Sequence, residues 1–217
     1  RTRSRPIPAG QVTVRGAVIW MCAQALLAFG ILLTFHPAAI LLGVLALVPV
    51  AIYPFAKRFT WWPQVFLGLA FNWGALLAWT AHRGQLDAPA VLLYTAGIAW
   101  TLYYDTIYAH QDIEDDALIG VKSTARLFGA NTPQWLRRFL VATVGLMGLA
   151  VIFAGTEQAS VLALVAALAG PWAMGWHMAW QLRGLDIDNP EKCMILFRAN
   201  RDTGLIPLIF FVGALLA

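Results

Sequence analysis

The stretch that decides the fold runs from residue 88 to residue 116 and reads APAVLLYTAGIAWTLYYDTIYAHQDIEDD. Its first part, 88–109, is mostly apolar and long enough for an α-helix to cross the hydrocarbon core of a bilayer. Its last part, 110–116, holds four acidic side chains. The stretch therefore predicts a membrane helix whose polar chemistry is gathered at one end.

The rest of the chain shares this apolar character. Of its 217 residues, 60% are hydrophobic and only 12% are charged. A water-soluble domain of this length could not cover so much apolar surface with polar side chains. Spans of crossing length, about 17–25 residues, are predicted at seven places: 14–35, 37–56, 61–81, 88–109, 135–155, 159–180 and a short one at 203–217. We therefore predict an all-α membrane protein, a transmembrane helix bundle forming a single domain over residues 1–217.

The basic residues fall on alternate loops, which orients the predicted bundle. Cytoplasmic loops of membrane proteins are enriched in Lys and Arg. One face carries most of them: Arg1, Arg3, Arg5, Arg15, Lys57, Arg58, Lys122, Arg126, Arg137, Arg138, Arg183, Lys192, Arg198 and Arg201. Only Arg83 falls on the other face. This asymmetry places segments 1–13, 57–60, 110–134 and 181–202 in the cytoplasm, and it explains the net charge of +4 without nucleic-acid binding.

The acidic segment repeats at helical spacing. On one continuous helix, four side chains would recur at intervals of four on one face, Tyr104, Tyr108, Asp112 and Asp116, with Asp105 and Asp115 within one position of them. Carboxylates this close raise one another's pKa unless a cation neutralises them, and acids at a helix C-terminus oppose the helix dipole. Both costs indicate a divalent ion, and Mg²⁺ is commonly shared between one or two carboxylates and substrate phosphates. A solvated helix end whose acids merely mark a loop is the alternative.

Cationic side chains on the same face supply the complementary charge. The segment IGVKST, directly after the acids, contributes Lys122, and YPFAKR, at the end of another span, contributes Tyr53, Lys57 and Arg58. Arg binds phosphate through two parallel hydrogen bonds, whereas Lys provides a mobile point charge. Carboxylates for Mg²⁺ and cations for an anion, at the rim of an apolar bundle, predict a ligand with a diphosphate head and a long hydrocarbon tail.

Three motifs in this order resemble the UbiA-type intramembrane aromatic prenyltransferases. YDTIYAHQDIEDDALIGVKSTARLFG resembles the second Asp-rich motif of that family, with Asp112 and Asp116 as its DxxxD pair. RTRSRPIPAGQVT resembles the segment just after the first Asp-rich motif, and YPFAKRFTWWPQ resembles the YxxxK segment. The resemblance covers nearly the whole chain, including FRANRDTGLI before the last span. The Tyr-Asp-Thr and Tyr-Pro-Phe runs look most like members that prenylate 4-hydroxybenzoate in ubiquinone biosynthesis.

The resemblance implies a bundle of nine helices, in which two Asp-rich loops cap a central cavity that opens sideways to lipid. About seven of the nine are expected here, because the chain starts just after the point where the first two helices and the first Asp-rich motif would end. The implied location is the bacterial inner (cytoplasmic) membrane or the mitochondrial inner membrane. The active-site loops would face the cytoplasm or the matrix.

The resemblance also implies roles for individual residues. Mg²⁺ held by Asp112 and Asp116 would bind a polyprenyl diphosphate, whose prenyl group would be transferred to the ring carbon ortho to the hydroxyl of 4-hydroxybenzoate. Four cations would stabilise charge on the leaving diphosphate: Lys57, Arg58, Arg5 and Lys122. The rings of Tyr53, Tyr104 and Tyr108 would stabilise an allylic cation through their π faces, and the alternative is that they are aromatic residues of the membrane interface. Asp105 and Tyr108 are assigned to substrate binding.

The carboxylate of the acceptor needs a donor of its own. Arg58 is the first candidate, and Asn72, a lone amide within the third span, is the second. A helix-to-helix hydrogen bond is the alternative role of Asn72.

Other functions stay open at this stage. A sister prenyltransferase with a naphthoate, homogentisate or porphyrin acceptor would need the same motifs. A transporter should carry ionisable groups near the bilayer midplane, whereas here the spans are clean and charge gathers at one rim, which favours the enzyme. A non-catalytic membrane protein is the third alternative.

Overall fold

The computed structural model describes residues 4–155 and 160–217, so Arg1 and Arg3 lie outside the described residues. The described residues form α-helices and three short 3₁₀ turns, with no β-strand among them. In chain order the helices are α1 (Val14–Leu32), α2 (Pro37–Leu45), α3 (Leu47–Ile52), α4 (Ala56–Phe59), α5 (Pro63–Phe71), α6 (Trp73–Arg83), α7 (Ala88–Ala109), α8 (Ile113–Ile119), α9 (Thr124–Phe128), α10 (Thr132–Gly155), α11 (Val161–Arg183) and α12 (Pro190–Leu215).

These helices follow seven long paths, which confirms the predicted helix bundle. α2, α3 and α4 share one path through a 3₁₀ turn at Tyr53–Phe55, and α5 and α6 share another that is interrupted at Asn72. Within the described ranges, five segments are long and apolar enough to cross a membrane: Val14–Leu32, Pro37–Phe59, Pro63–Arg83, Thr124–Gly155 and Val161–Arg183. The other two paths are α7 and α12, which carry more polar side chains.

Local chemistry explains several helix ends. The Thr13 hydroxyl accepts a hydrogen bond from the Gly16 amide at 3.0 Å and caps α1, and the Ser160 hydroxyl accepts one from the Ala163 amide at 3.0 Å and caps α11. These bonds satisfy amides that have no partner within the helix. α8 ends at Gly120, whose φ of +79° lies in the left-handed region that glycine adopts without steric cost.

The last helix starts earlier than its apolar span. The sequence predicted a loop over 181–202 and a span at 203–217, but α12 already begins at Pro190, after an Asn189 cap whose side-chain oxygen accepts from the Lys192 amide at 3.0 Å. Its first turns bury Cys193 and Leu196 while charged residues cover the opposite side. The prediction was wrong here because it used apolar length alone, and this part of the helix is amphipathic.

The core is organised around α7. This helix packs against α5, α6, α9, α10 and α12. Its fully buried side chains include Tyr103 and Ile107, which meet Leu136 of α10 and Met174 and Met178 of α11 in one cluster. The acidic segment that follows α7 is therefore attached to the most buried helix of the described bundle.

Candidate active site

The segments 57–60 and 110–134 meet at one end of the bundle. The Lys122 amide donates a hydrogen bond to the Lys57 carbonyl at 2.9 Å. This backbone contact joins the loop after α8 to the end of α4. The sequence predicted both segments on one face, and the contact agrees with that prediction.

Lys57 and Asp116 form the central ion pair of this end. The Lys57 Nζ donates to both carboxylate oxygens of Asp116, at 3.0 Å to Oδ1 and 2.9 Å to Oδ2. The Asp116 side chain is only 8% exposed, whereas that of Lys57 is 43% exposed. The Asp116 carboxylate is therefore enclosed by the protein, whereas the Lys57 side chain is partly exposed and can contact an anion.

Arg126 holds the backbone on which Asp116 sits. Its guanidinium donates to the Asp116 carbonyl at 3.3 Å and also to the Val121 carbonyl. Ser123 caps the start of α9 by accepting a hydrogen bond from the Arg126 amide at 3.4 Å. Sequence reasoning counted Arg126 only as a topological charge. Its role as a clamp depends on a turn between α8 and α9 that the sequence pattern did not reveal.

A second carboxylate, Asp105 of α7, approaches Lys57 from the membrane side. The Gln64 side chain is hydrogen-bonded to Asp105, and the Lys57 charge acts on the same carboxylate. Gln64 is 2% exposed, and its Oε1 accepts from the Thr124 amide at 3.4 Å, which directs its NH₂ group toward Asp105. These groups, with Tyr53, border a small cavity of about 140 Å³. Gln64 was missed because a lone buried amide has no sequence signal.

The predicted acidic stripe is not one continuous helical face. α7 ends at Ala109, a 3₁₀ turn covers His110–Asp112, and α8 begins at Ile113 with Asp112 as its N-cap residue. Three acids therefore lie in the first turn of α8: Glu114, Asp115 and Asp116. The predicted conflict with a helix dipole was wrong, because carboxylates at a helix N-terminus are stabilised by that dipole. Asp112, half-buried, remains four positions before Asp116 across this turn.

The turn itself is fixed by a buried histidine. The His110 Nε2 lies 3.1 Å from the Thr132 hydroxyl, which in turn donates to the Gly129 carbonyl at 2.7 Å. Because the hydroxyl proton is used by Gly129, His110 donates from Nε2. Burial lowers the pKa of His110, and the charge of Asp188 opposes this shift. The imidazole is thus a structural tie between the acidic turn and the start of α10.

The carboxylates of the described residues do not form a closed metal cage. Asp112 and Asp116 offer the oxygen donors that Mg²⁺ prefers. Among the residues that the structure describes, no three His, Cys, Asp or Glu side chains converge as a metal cage would require. Both Asp116 oxygens accept hydrogen bonds from the Lys57 ammonium, so Asp116 would have to give up part of this contact to become a metal ligand.

The other predicted cations have different surroundings. The Lys122 Nζ donates to the Phe59 carbonyl at 3.3 Å and lies 5.9 Å from the centre of the Trp61 ring. Arg58 and Arg5 are exposed, and neither forms an ion pair with another residue in the described ranges. The structure therefore brings Lys57 and Lys122 together and leaves Arg58 and Arg5 available at the surface.

An aromatic wall, made of Trp100, Tyr104 and Phe197, borders a larger cavity of about 670 Å³. The Tyr104 ring centre lies 5.4 Å from that of Trp100 and 5.9 Å from that of Phe197. Tyr108 extends the wall toward the acidic turn, with its ring 4.7 Å from Phe197. Tyr104 and Tyr108 lie near enough to Tyr53 to act on its hydroxyl electrostatically, and the cavity beside the wall is also lined by Arg198, Arg201 and Asp202.

A buried hydrogen-bond network links the aromatic wall, through Trp100, to α11 and α12. The Trp100 Nε1 donates to the Asn200 Oδ1 at 3.0 Å, and the Asn200 Nδ2 donates to the Gln181 Oε1 at 2.9 Å. The Gln181 Nε2 donates to the Thr203 hydroxyl at 2.9 Å, which lies 2.8 Å from His177. The FRANRD segment had been noted only as part of a resemblance. Its Asn200 joins α7, α11 and α12, a role that requires the tertiary structure.

Asn72 is used for helix packing in this structure. Its Nδ2 donates to the Gly68 carbonyl at 2.8 Å and to the Thr101 hydroxyl of α7 at 2.9 Å. Polar side chains that bridge helices in this way are common in membrane bundles. The geometry therefore supports the helix-to-helix alternative over acceptor binding.

Comparisons with known proteins agree with this geometry. Residues 1–201 match the model of the UbiA prenyltransferase family. A Bos taurus protein named 4-hydroxybenzoate polyprenyltransferase, mitochondrial, is 47% identical over 217 residues, which are 100% of this chain and 56% of that protein. The Homo sapiens protein of the same name is 45% identical over 213 residues, 98% of this chain and 56% of that protein. The chain thus spans about half the length of these curated relatives.

Two solved structures share the fold. A UbiA homolog from Aeropyrum pernix K1, in its apo form, superposes with a TM-score of 0.73 at 23% identity, covering 99% of this chain and 78% of that chain. A digeranylgeranylglyceryl phosphate synthase superposes with a TM-score of 0.63 at 19% identity, covering 100% of this chain and 77% of that chain. At these identities the two structures support the helix bundle and its topology.

Proposed function

The chain belongs to the UbiA prenyltransferase family, and from this premise we propose that the protein transfers a polyprenyl group from a polyprenyl diphosphate to 4-hydroxybenzoate, as a step of ubiquinone biosynthesis. The acceptor is inferred from the relatives of that name, which are 45% and 47% identical to this chain. The new bond would form at the ring carbon ortho to the phenol hydroxyl. The proposed location is an inner membrane, with the Lys57–Asp116 end of the bundle facing the cytoplasm or the matrix.

The observation that carries the proposal is the position of Lys57. Its ammonium lies between Asp116 at the wet rim and Asp105 on the membrane side, and it keeps an exposed side. A lipid diphosphate can place its head at this rim while its hydrocarbon tail lies in the apolar bundle. Arg58, exposed one position further, adds positive charge near this head.

Asp112 and Asp116 would hold Mg²⁺, which when bound supplies positive charge that stabilises the leaving diphosphate. The protein's own side chains bind and orient the diphosphate. Lys57 and Arg58, with Arg5 and Lys122 as further cations of the rim, lower the energy of negative charge that develops on the diphosphate oxygens. Arg126 holds the backbone of Asp116, whose side chain is nearly buried, so the position of this carboxylate is well defined.

The reaction needs an allylic carbon that becomes electron-poor as the carbon–oxygen bond to diphosphate breaks. The aromatic wall and Tyr108 present π faces and edges beside the cavity, and Tyr53 lies near them. Aromatic faces stabilise cations, more strongly where water is excluded. The electron pair for the new bond comes from the acceptor ring, whose ortho carbon then loses its proton. Asp105 is proposed to contact the substrates at this boundary.

The carboxylate of 4-hydroxybenzoate requires a donor near the rim. We assign this role to Arg58, because its guanidinium is exposed and can bind a carboxylate through two hydrogen bonds. Asn72 is left out of the proposal because its amide is used between helices.

The proposal is tested by offering one prenyl diphosphate with a panel of acceptors. Membranes containing the complete gene product are supplied with Mg²⁺, a polyprenyl diphosphate and either 4-hydroxybenzoate, a hydroxynaphthoate or homogentisate, and products are identified by mass spectrometry. We expect the ortho-prenylated 4-hydroxybenzoate as the main product. A product formed only with another acceptor would show a sister enzyme, and no product from any acceptor would contradict prenyl transfer.

A matched variant tests the role of Arg58 in the same assay. Arg58→Lys keeps the charge but removes the paired hydrogen bonds, so KM for 4-hydroxybenzoate should rise while KM for the diphosphate changes less. Equal KM values for 4-hydroxybenzoate in the variant and the wild type would contradict the assignment.

A further inference from the structure

A third cavity, with charged and apolar walls, lies away from the active site, between α10 and α11. It has a volume of about 410 Å³ and is called here the α10–α11 groove, lined by Arg137, Leu140, Val141, Ala179, Leu182 and Arg183. Both helices belong to segments long and apolar enough to cross a membrane. Val141, on its wall, is 68% exposed, so the apolar part of the groove opens toward lipid.

The two arginines of the groove are at the same end of the bundle as Lys57 and Asp116. Arg137 lies near the start of α10, which follows α9 and the Arg126 clamp, and Arg183 is the last residue of α11. α10 and α11 pack side by side, and both arginines line one groove. The groove therefore has a positively charged upper end and an apolar lower part that extends toward the bilayer interior.

The charge of these arginines is not neutralised within the described part of the chain. The ion pairs found there join Lys57 to Asp116, Arg83 to Asp87 and Arg201 to Asp202. Arg183 instead lies 6.0 Å from the ring centre of Trp176. A guanidinium at the membrane boundary that has no carboxylate partner can form paired hydrogen bonds with a phosphate group.

A neighbouring arginine shows what a different environment looks like. Arg138 lies one position after Arg137, but its guanidinium sits 4.6 Å from the ring centre of Trp135, and it does not line the groove. Arg137 and Arg138 therefore carry the same charge at nearly the same depth. Of the two, Arg137 lines the α10–α11 groove.

We propose that the α10–α11 groove binds one anionic phospholipid, with the phosphate between Arg137 and Arg183 and an acyl chain along the apolar wall. Two guanidinium charges complement an anionic headgroup, whereas a zwitterionic headgroup brings its own cation close to them. Leu140, Val141 and Leu182 provide a surface on which hydrocarbon packs. Basic pockets between membrane helices are known sites for anionic headgroups. This inference does not depend on the proposed enzymatic reaction.

The test is a lipid titration followed by native mass spectrometry. The complete protein is purified in a neutral detergent and titrated with phosphatidylglycerol or with phosphatidylcholine that has the same acyl chains. We expect one phosphatidylglycerol to be retained at lower concentration than phosphatidylcholine. In the double variant Arg137→Gln/Arg183→Gln, the affinity for phosphatidylglycerol should fall by about tenfold or more, because charge-assisted phosphate hydrogen bonds are lost.

Two matched variants make the result specific. Arg138→Gln removes the same charge from the same helix and should leave the affinity for phosphatidylglycerol within about twofold of wild type, as surface charges contribute little. Ala179→Leu keeps both arginines but fills the groove, and it should also weaken lipid binding. Thermal unfolding in lipid-free detergent checks that each variant is folded.

Three outcomes would overturn the proposal. Equal losses in Arg138→Gln and in the double variant would mean that the basic end attracts lipid only through its total charge. Equal affinity for phosphatidylcholine and phosphatidylglycerol would remove the role of the headgroup charge. Competition by inorganic phosphate at the concentration of the lipid would identify an ion site without a groove for hydrocarbon.

Discussion

Helices α1 and α7 are both long enough to cross a membrane, yet they occupy opposite environments. α1 passes the test of length and apolar composition for a membrane span, whereas α7 does not. In the structure α7 has eleven buried residues and α1 has none. Among the described helices α1 packs against α2, while α7 is surrounded on several sides.

The difference shows that apolarity and burial are separate properties in a membrane bundle. A side chain that faces lipid must be apolar, because lipid offers it no hydrogen-bond partner. A side chain in the bundle interior can be small or polar if neighbouring helices satisfy it. α7 follows this rule, since the Thr106 hydroxyl lies 2.7 Å from the Thr124 hydroxyl and the Tyr103 hydroxyl donates to the Met178 carbonyl at 2.7 Å. The chemistry is therefore expected on the interior helix.

The largest contrast is expected between two basic residues, Lys57 beside α7 and Arg15 on α1. Lys57→Met removes the ammonium held by Asp116, and transfer activity should fall by about a hundredfold or more, the cost of removing one positioned charge from a reaction that develops negative charge. Arg15→Met removes an exposed charge and should change activity by less than about twofold. Initial rates in membranes with matched protein amounts would show this, and equal losses in both variants would break the comparison.

A second contrast uses one glycine from each helix. A methyl group at Gly97 of α7 would collide with the Asn72 side chain, whereas one at Gly30 of α1 meets no described atom within 4 Å. Gly97→Ala should destabilise the protein by about 1–3 kcal/mol through overpacking. Gly30→Ala should be neutral or stabilising by up to about 1 kcal/mol, because alanine favours the helix. Thermal unfolding in one detergent measures both, and a larger loss for Gly30→Ala would contradict the contrast in packing between α7 and α1.

A smaller contrast compares a polar side chain in the network behind the aromatic wall with one that faces outward. Asn200→Leu leaves the Trp100 Nε1–H and the side-chain Oε1 of Gln181 without their partners. This should lower the free energy of unfolding by about 1–2 kcal/mol. Gln24→Leu, on exposed α1, should cost nothing measurable. If Asn200 also positions Trp100, its variant should raise KM for the prenyl diphosphate, a change that a purely structural loss would not produce. Unchanged unfolding in Asn200→Leu would show that the network is dispensable.

The smallest effect concerns the two cysteines. Burial, with the charges of Asp186 and Asp188, raises the pKa of the Cys193 thiol from 9.0 to about 11. The folded protein therefore keeps a proton that the unfolded chain releases, and this stabilisation, present below pH 9, is lost as the pH rises through about 11. The unfolding temperature of the wild type should fall more steeply over this range than that of Cys193→Ala. Cys22→Ala, at an exposed site on α1, should keep the wild-type slope.

Much of the fold could be predicted because apolar runs of crossing length are visible in the sequence. The break between α7 and α8 could not, since the periodicity of Tyr104, Tyr108, Asp112 and Asp116 also fits an unbroken helix. The early start of α12 was hidden because charged residues cover one side of its first turns. Where a helix is amphipathic or changes direction, its ends are set by local caps and tertiary contacts. These leave only weak signals in the sequence.

The sequence predicted which types of residue form the candidate site better than it predicted which residues bond to each other. The sequence indicated that Lys57 and Asp116 belong to one face, but their bond joins residues 59 positions apart and depends on how α4 meets α8. Gln64 and Asn200 were missed because each acts through an amide whose partner lies on another helix. Arg126 was missed because its carbonyl partners are brought to it by the turn between α8 and α9. Such roles follow from packing, which a single sequence does not contain.

The most direct test of the central claim is the rate of polyprenyl transfer to 4-hydroxybenzoate by Asp116→Asn, measured beside the wild type in membranes. Asparagine keeps the size of the side chain and removes its charge. We predict that the wild type forms the ortho-prenylated product and that the variant loses at least about a hundredfold in rate, with normal membrane insertion and rates compared per amount of folded protein. A variant that transfers at the wild-type rate would contradict the account.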